Sequence, residues 1–319
     1  MLRPHDSAAV LFPGALGDFI CFLPTLHALR ARHTGQLLLV AKPEQSELIA
    51  PSALATASID RRAVADLFVA DGEVAAETLA LLGGFAHVYS WTGFGNTGFT
   101  KRLAAASGGR VMVYRFRGMQ PGEHAVDYYA CCVGLSACPI AASIIRRDEA
   151  WLRAFDHQRQ LQASRLLVLH AGSGSASKNW RGFGELIRYW RNHYDDSIVL
   201  LRGPAEVRAT QLSPAPHVSV DDLTLSQVAA LLGDCALYLG NDSGISHLAG
   251  AIGARGVVLF GASDPAVWAP RSDRLRVLHA PTPCVRCGPT AFCVHRLSVE
   301  TVIDALEAQR AAALTSVQL

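Results

Sequence analysis

Nowhere in its 319 residues does the chain carry an unbroken apolar run of about twenty residues, so no transmembrane helix is expected. No run of Lys and Arg exceeds two residues, and the net charge is only +2. That balance leaves no electrostatic footprint for nucleic acid, which is therefore not an expected partner. The apolar stretch after residues 1–6 is broken by Pro13, Gly14, Gly17 and Asp18 before it reaches the form of a secretory signal. The eight cysteines are accordingly expected to be reduced and mostly buried, in a cytoplasmic protein. Charged residues make up only 18% of the chain and hydrophobic ones half of it, which excludes disorder and suits well-packed cores.

What is present is a repeated unit of strand, glycine-bearing loop and helix. Residues 236–261 (ALYLGNDSGISHLAGAIGARGVVLFG) read as a strand at 236–239, a small-residue turn at 240–244, a helix at 245–252 and a strand at 256–260. Two apolar runs joined by a helix form a βαβ unit and imply a parallel sheet. The same pattern appears at 8–40 and again from 165 to 202. Further strands are expected at 86–91, 111–114 and 66–69, within an otherwise helical Ala-rich stretch at 45–83. Residues 299–314 read as a closing amphipathic helix. Length and repetition together predict two Rossmann-like α/β domains, residues 1–158 and 159–319, joined within the charged helical segment 150–164.

Several residues stand where open α/β sheets bind ligands, at strand carboxyl ends. Asn241, Asp242 and Ser243 can cap the following helix, whose free amides suit an anion such as a diphosphate. His247 lies on its first turn. The loop 171–180 (AGSGSASKNW) has small residues that let amides close around phosphate, with Lys178 as a point charge; it lacks the P-loop spacing. Glu206 follows the strand 197–202, a position from which an acid can accept from ribose hydroxyls. Asp18 follows the two glycines of PGALGD. It is either displayed to a ligand or an ordinary first-turn carboxylate favoured by the helix dipole. Lys101, Arg102, Arg115, Arg117 and His124 form either a solvated basic face or a groove for an acidic acceptor. Asp195-Asp196 and Asp221-Asp222 read as solvated turns rather than metal ligands.

Four segments together resemble glycosyltransferase family 9, the heptosyltransferase-like enzymes: PGALGD at 13–18, AGSGSASKNW at 171–180, the turn at 203–206, and GNDSGISHL at 240–248 with FGASDP at 260–265. They occur in the family's order across nearly the whole chain. The resemblance implies the GT-B fold, with the acceptor bound mainly by the first domain and the nucleotide-sugar by the second. It implies an inverting, metal-independent glycosyltransferase with no cofactor, moving a heptose from ADP-heptose onto a lipopolysaccharide inner-core sugar. Asp18 would be the general base and Lys178 would meet the diphosphate, with Ser173, Gly174 and Ser175 nearby. Glu206 would hold the ribose, and Asp242, Ser243, Gly244 and His247 would line the donor's phosphate and sugar. Gly14, Gly17, Lys101, Arg102, Arg115, Arg117 and His124 are the candidate acceptor contacts.

Alternatives to this function are an epimerase or hydrolase of nucleotide-sugars, a transferase using another donor and a soluble acceptor, and a non-catalytic binding protein. A glycolipid acceptor would bring the enzyme to the inner membrane surface, although the near-neutral charge gives that no support. The sequence sets no oligomeric state, and a monomer is compatible with it. Cys284, Cys287 and Cys293 with His295 could bind zinc, but the spacing is not that of a standard finger and favours reduced thiols.

Overall fold

A computed structural model describes residues 6–50, 52, 54–136, 144–203, 218–280, 282–284 and 292–316. The chain divides into two compact units, Met1–Arg146 and Arg147–Leu319. No helix among the described residues is long and apolar enough to cross a membrane.

The first unit alternates strands and helices. Its elements are β1 (Ala8–Leu11), α1 (Leu16–Arg32), β2 (Leu37–Ala41), α2 (Pro43–Leu48), β3 (Ala55–Ser58), α3 (Arg62–Ala65), α4 (Ala76–Leu82), β4 (His87–Ser90), α5 (Thr97–Ser107), β5 (Arg110–Val113) and α6 (Ala125–Cys132). All five strands are parallel, in the order β3-β2-β1-β4-β5. β1 and β2 are buried along their whole length, as strands covered on both faces must be. Phe12, just past β1, stacks on Phe22 of α1 at 4.4 Å and meets Tyr129 of α6 edge-on at 5.4 Å. These rings bind α1 and α6 to the sheet.

The strand expected at 66–69 is instead a 3-10 turn, Asp66–Phe68, running on from α3. Asp66 fixes it by accepting from Ala75 N, Thr78 Oγ1 and Arg102 Nη2. The third strand is β3, which lies at the sheet edge and is half-exposed, so its sequence carries no apolar run to announce it.

The second unit contains α7 (Glu149–Arg159), β6 (Leu166–His170), α8 (Phe183–His193), β7 (Ser197–Arg202), β8 (Val218–Asp221), α9 (Leu225–Asp234), β9 (Leu237–Asn241), α10 (Gly244–Ile252), β10 (Gly256–Phe260), α11 (Pro265–Trp268), β11 (Leu275–His279) and α12 (Val299–Ser316). Six parallel strands lie in the order β11-β10-β9-β6-β7-β8. The segment 150–164, expected to hold the junction, forms α7 and packs on α9, so the division of the chain falls just before it. The edge strands β8 and β11 are partly exposed and went unanticipated for the same reason as β3.

α12 closes this unit against α8, β9 and β10. Tyr189 and Tyr194 each donate to Glu307 Oε1 at 2.7 Å. Asp196, read from sequence as part of a solvated turn, is buried and accepts from Trp190 Nε1 and Arg310 Nε, both at 3.1 Å. A carboxylate so enclosed needs these partners to offset its desolvation.

Candidate functional site

In each sheet the chain reverses its winding direction once, between β1 and β4 in the first and between β6 and β9 in the second. Loops leaving such a pair splay apart at the carboxyl ends and leave a crevice.

In the second unit His170 at the end of β6 is in register with Gly240 on β9. The loop at 171–179 therefore lies beside the turn that starts α10. Asn241, wholly buried, joins the two. Its Oδ1 accepts from Trp180 N at 3.0 Å, and its Nδ2 donates to Ala171 O at 2.8 Å. The loop is also tied within itself: Ser173 Oγ donates to Ser175 O at 2.6 Å, Ser175 N donates back to Ser173 Oγ, and Ser175 and Ser177 hydroxyls lie 2.9 Å apart. Gly174 is exposed with open space where a side chain would sit.

Of the three residues able to cap α10, Ser243 does so, its Oγ accepting from Ser246 N at 3.3 Å. The same Oγ lies 3.2 Å from His170 Nδ1. Gly240 is required because Tyr238 Oη and Ser246 Oγ, themselves 2.9 Å apart, leave its α-carbon no room; an added Cβ would fall 2.1 Å from the phenol oxygen. His247 is buried on the first turn of α10. Asp242 does not cap the turn; its Oδ2 accepts from Lys178 Nζ at 2.6 Å. The lysine side chain is 32% exposed and the carboxylate 8%.

Against the end of β6 and the start of α10 is a cavity of about 290 Å³, lined mainly by apolar groups that include Leu201, Val220, Leu223, Val228 and Ile245. His170, Arg202, Gly203 and Asp222 add polar edges to it. Arg202 is held by Asp221 through two 2.7 Å bonds, Nε to Oδ1 and Nη2 to Oδ2. Asp221 is thus a paired carboxylate rather than part of a solvated turn. Asp222 takes the left-handed conformation at φ 55° and turns the chain into α9. The cavity residues were missed from sequence. β8 was not seen, and without it Arg202 and Asp221 have no reason to be neighbours. Glu206 lies outside the described residues.

In the first unit Asp18 stands in the first turn of α1 and is 3% exposed. Arg117, in the loop after β5, donates to both of its oxygens: Nε to Oδ1 at 2.9 Å and Nη2 to Oδ2 at 2.8 Å. This bond raises the arginine's already high pKa. Gly14 carries the chain so close that an added Cβ would lie 2.4 Å from the Phe12 ring and 2.8 Å from Asp18 Cβ. Its carbonyl accepts from buried Gln45 Nε2 at 2.7 Å. Gly17 is half-buried within α1.

The other basic candidates separate. Arg102 is no groove residue. It is buried, and donates to Asp66 O, Asp66 Oδ1, Gly72 O and Glu73 O, bracing the loop before α4. His124 caps α6, its Nδ1 accepting from Val126 N. Arg115 is exposed over the Phe94 ring at 5.1 Å, and Lys101 is exposed on α5. A second hollow of about 360 Å³ at the carboxyl ends of β1, β2 and β4 is lined by Pro13, Lys42, Asp60, Arg61, Phe68 and Thr92 among others.

Cys284 and Cys293 are buried, and an antiparallel bridge between Pro283 and Phe292 brings their flanks together. His295 follows in a 3-10 turn, and Cys287 lies outside the described residues. Among the described residues no group of three or more His, Cys, Asp or Glu side chains converges as a metal site would require.

Solved structures of three proteins share this fold along nearly their full length. A family 9 glycosyl transferase from Veillonella parvula superposes with a TM-score of 0.74 at 20% identity, covering 98% of this chain and 99% of that one. The E. coli ADP-heptose lps heptosyltransferase II gives 0.72 at 16% identity, covering 96% and 99%. The E. coli heptosyltransferase WaaC with ADP gives 0.64 at 21% identity, covering 95% and 99%. They place the chain, an α/β protein with two parallel Rossmann-like sheets, in the GT-B type. No curated protein matches it. The model of glycosyltransferase family 9 (heptosyltransferase) matches residues 99–291, well over half of the chain, and the protein belongs to that family.

Proposed function

We propose that this glycosyltransferase moves a heptose from ADP-heptose onto a hydroxyl of a lipopolysaccharide inner-core sugar, with inversion at the anomeric carbon. The observation that carries the reading is the meeting of Lys178, Asp242 and the capped start of α10 beside an apolar cavity at one switch point. A nucleoside suits the cavity, and a diphosphate suits an amine next to free helix amides. The ADP and ADP-heptose named for the E. coli relatives agree with this choice of donor.

Asp18 takes the proton of the acceptor hydroxyl. That oxygen bonds to the anomeric carbon as the bond from this carbon to the diphosphate oxygen breaks. The charge that develops on the leaving diphosphate is met by Lys178 and the amides of Ser243 and Gly244. Donor binding by Ser173, Gly174, Ser175, Glu206, Asp242 and His247 belongs to the same proposal. So does acceptor binding by Gly14, Gly17, Lys101, Arg115 and Arg117.

Asp18→Asn is expected to lower turnover of ADP-heptose by about 10²–10⁴-fold, the usual range for a lost general base. ADP should raise the melting temperature of this variant by as much as that of the wild type. Wild-type turnover in Asp18→Asn would remove Asp18 from the role of base. Product analysis with donor alone, then with acceptor, separates transfer from hydrolysis.

A further inference from the structure

The proposed base is held by a cation. Both oxygens of Asp18 accept from the planar fork of Arg117, and the carboxylate is 3% exposed while the arginine is 54% exposed. In this state both oxygens that would take a proton are occupied by the guanidinium. We propose that Arg117 is a removable cover on Asp18, lifted when an anionic group of the acceptor takes the guanidinium. The inference rests on the reading of Asp18 as general base.

Physical arguments favour an exchange over a permanent brace. Arg117 belongs to the segment between β5 and α6, which has no regular secondary structure, and its guanidinium lies over the Phe116 ring at 5.3 Å. A half-exposed cation loses little when it trades one carboxylate for another anion, because it stays charged, paired and in contact with water. Asp18 is different. Its burial means that stripping it of every donor is costly. The trade is therefore favourable only when an anion takes Arg117 and another donor meets Asp18.

A second donor stands ready. Tyr129 on α6 is wholly buried, its hydroxyl has no hydrogen-bond partner, and its pKa is raised by burial and then by the charge of Asp18. A neutral phenol beside Asp18 can hold the carboxylate in place once the guanidinium has left. Such a cover would keep the base from activating water before an acceptor is bound.

The test is carbodiimide-and-amine labelling of Asp18, read by peptide mass spectrometry, with Asp264 as an exposed reference carboxylate. Arg117→Gln should raise the labelling rate of Asp18 by about fivefold or more, the shift expected when an ion pair of this kind is lost. Arg117→Lys, which cannot hold both oxygens, should fall between. In the wild type, inorganic phosphate or acetate should raise the ratio of Asp18 to Asp264 labelling above that seen in sodium chloride of equal ionic strength, Asp264 correcting for the reagent these anions consume. The same anions should have no effect in Arg117→Gln. A response to phosphate alone assigns a phosphorylated acceptor, and a response to acetate alone a sugar acid.

Labelling of Arg117→Gln at the wild-type rate, or wild-type labelling indifferent to both anions, would overturn the cover. If Arg117→Gln does not melt cooperatively, the wild-type anion series decides on its own. The turnover of Asp18→Asn tests the base separately, so failure of one idea is distinguishable from failure of the other.

Discussion

At the residue scale three of the charged groups near the carboxyl ends of the two sheets are each held by one partner of opposite sign. Asp18 is taken by Arg117, Lys178 by Asp242, and Arg202 by Asp221. On the proposed reading, the carboxylate that holds Lys178 also repels the diphosphate the lysine would meet. This predicts a separation of stability from binding. Lys178→Ala leaves Asp242 nearly buried without its partner and should destabilise the protein by about 1–3 kcal/mol, measured by denaturant unfolding. Adding Asp242→Asn should recover most of that loss, since an amide tolerates the site better than an unpaired charge. The double variant should still fail to gain melting temperature from ADP. Recovery of both properties would show that Lys178 serves folding alone.

At the element scale the start of α10 is tied on several sides. Ser246 Oγ lies 2.9 Å from Tyr238 Oη and donates to Asn241 O at 2.5 Å, while Asn241 reaches across to the neighbouring loop. Gly240→Ala forces a Cβ into this network and should cost about 1–3 kcal/mol by overpacking, read as a lowered unfolding midpoint. The helix α9, which walls the cavity, begins with a capping box in which Thr224 Oγ1 accepts from Gln227 N and Gln227 Oε1 accepts from Thr224 N. Thr224→Ala should cost about 1 kcal/mol and, because Leu225 and Val228 line the cavity, should weaken ADP binding with it. An unchanged ADP affinity in that variant would place the nucleoside elsewhere.

At the scale of the whole molecule, stability depends on pH through groups remote from the site. His33 at the end of α1 is buried, its Nε2 3.0 Å from Tyr89 Oη, and burial and then the charge of His87 lower its pKa from 6.5. With the folded value depressed, the unfolded chain binds the proton first. Its contribution is complete above pH 6.5 and falls away as the pH drops from there through the folded value. Glu307 behaves likewise at lower pH. The hydroxyls of Tyr194 and Tyr189 hold its pKa below 4.5, so the tie between α8 and α12 weakens only beneath that value. Melting temperature measured against pH should therefore decline in two stages. His33→Gln should flatten the upper one and leave the lower. A decline near pH 6.5 that persists in His33→Gln would assign it to another histidine.

Much was legible in the amino-acid order because it is local. The strand 256–260, the turn before α10 and the glycines of PGALGD follow from apolar runs and small residues within a few positions of one another. The parallel α/β class follows too, since helix-length segments between buried strands permit little else. The partnerships were not legible. Asp18 meets Arg117 across 99 residues and Lys178 meets Asp242 across 64, through strand orders that place β1 beside β4 and β6 beside β9. Arg102 and Lys101 are adjacent in sequence, yet one is a buried brace and the other an exposed cation, because only the helix face turned to the 66–73 loop meets Asp66. Residue type sets what a side chain can do. Which charge it faces depends on which strands pair, and that is settled by burial summed over the entire sheet rather than by any one segment.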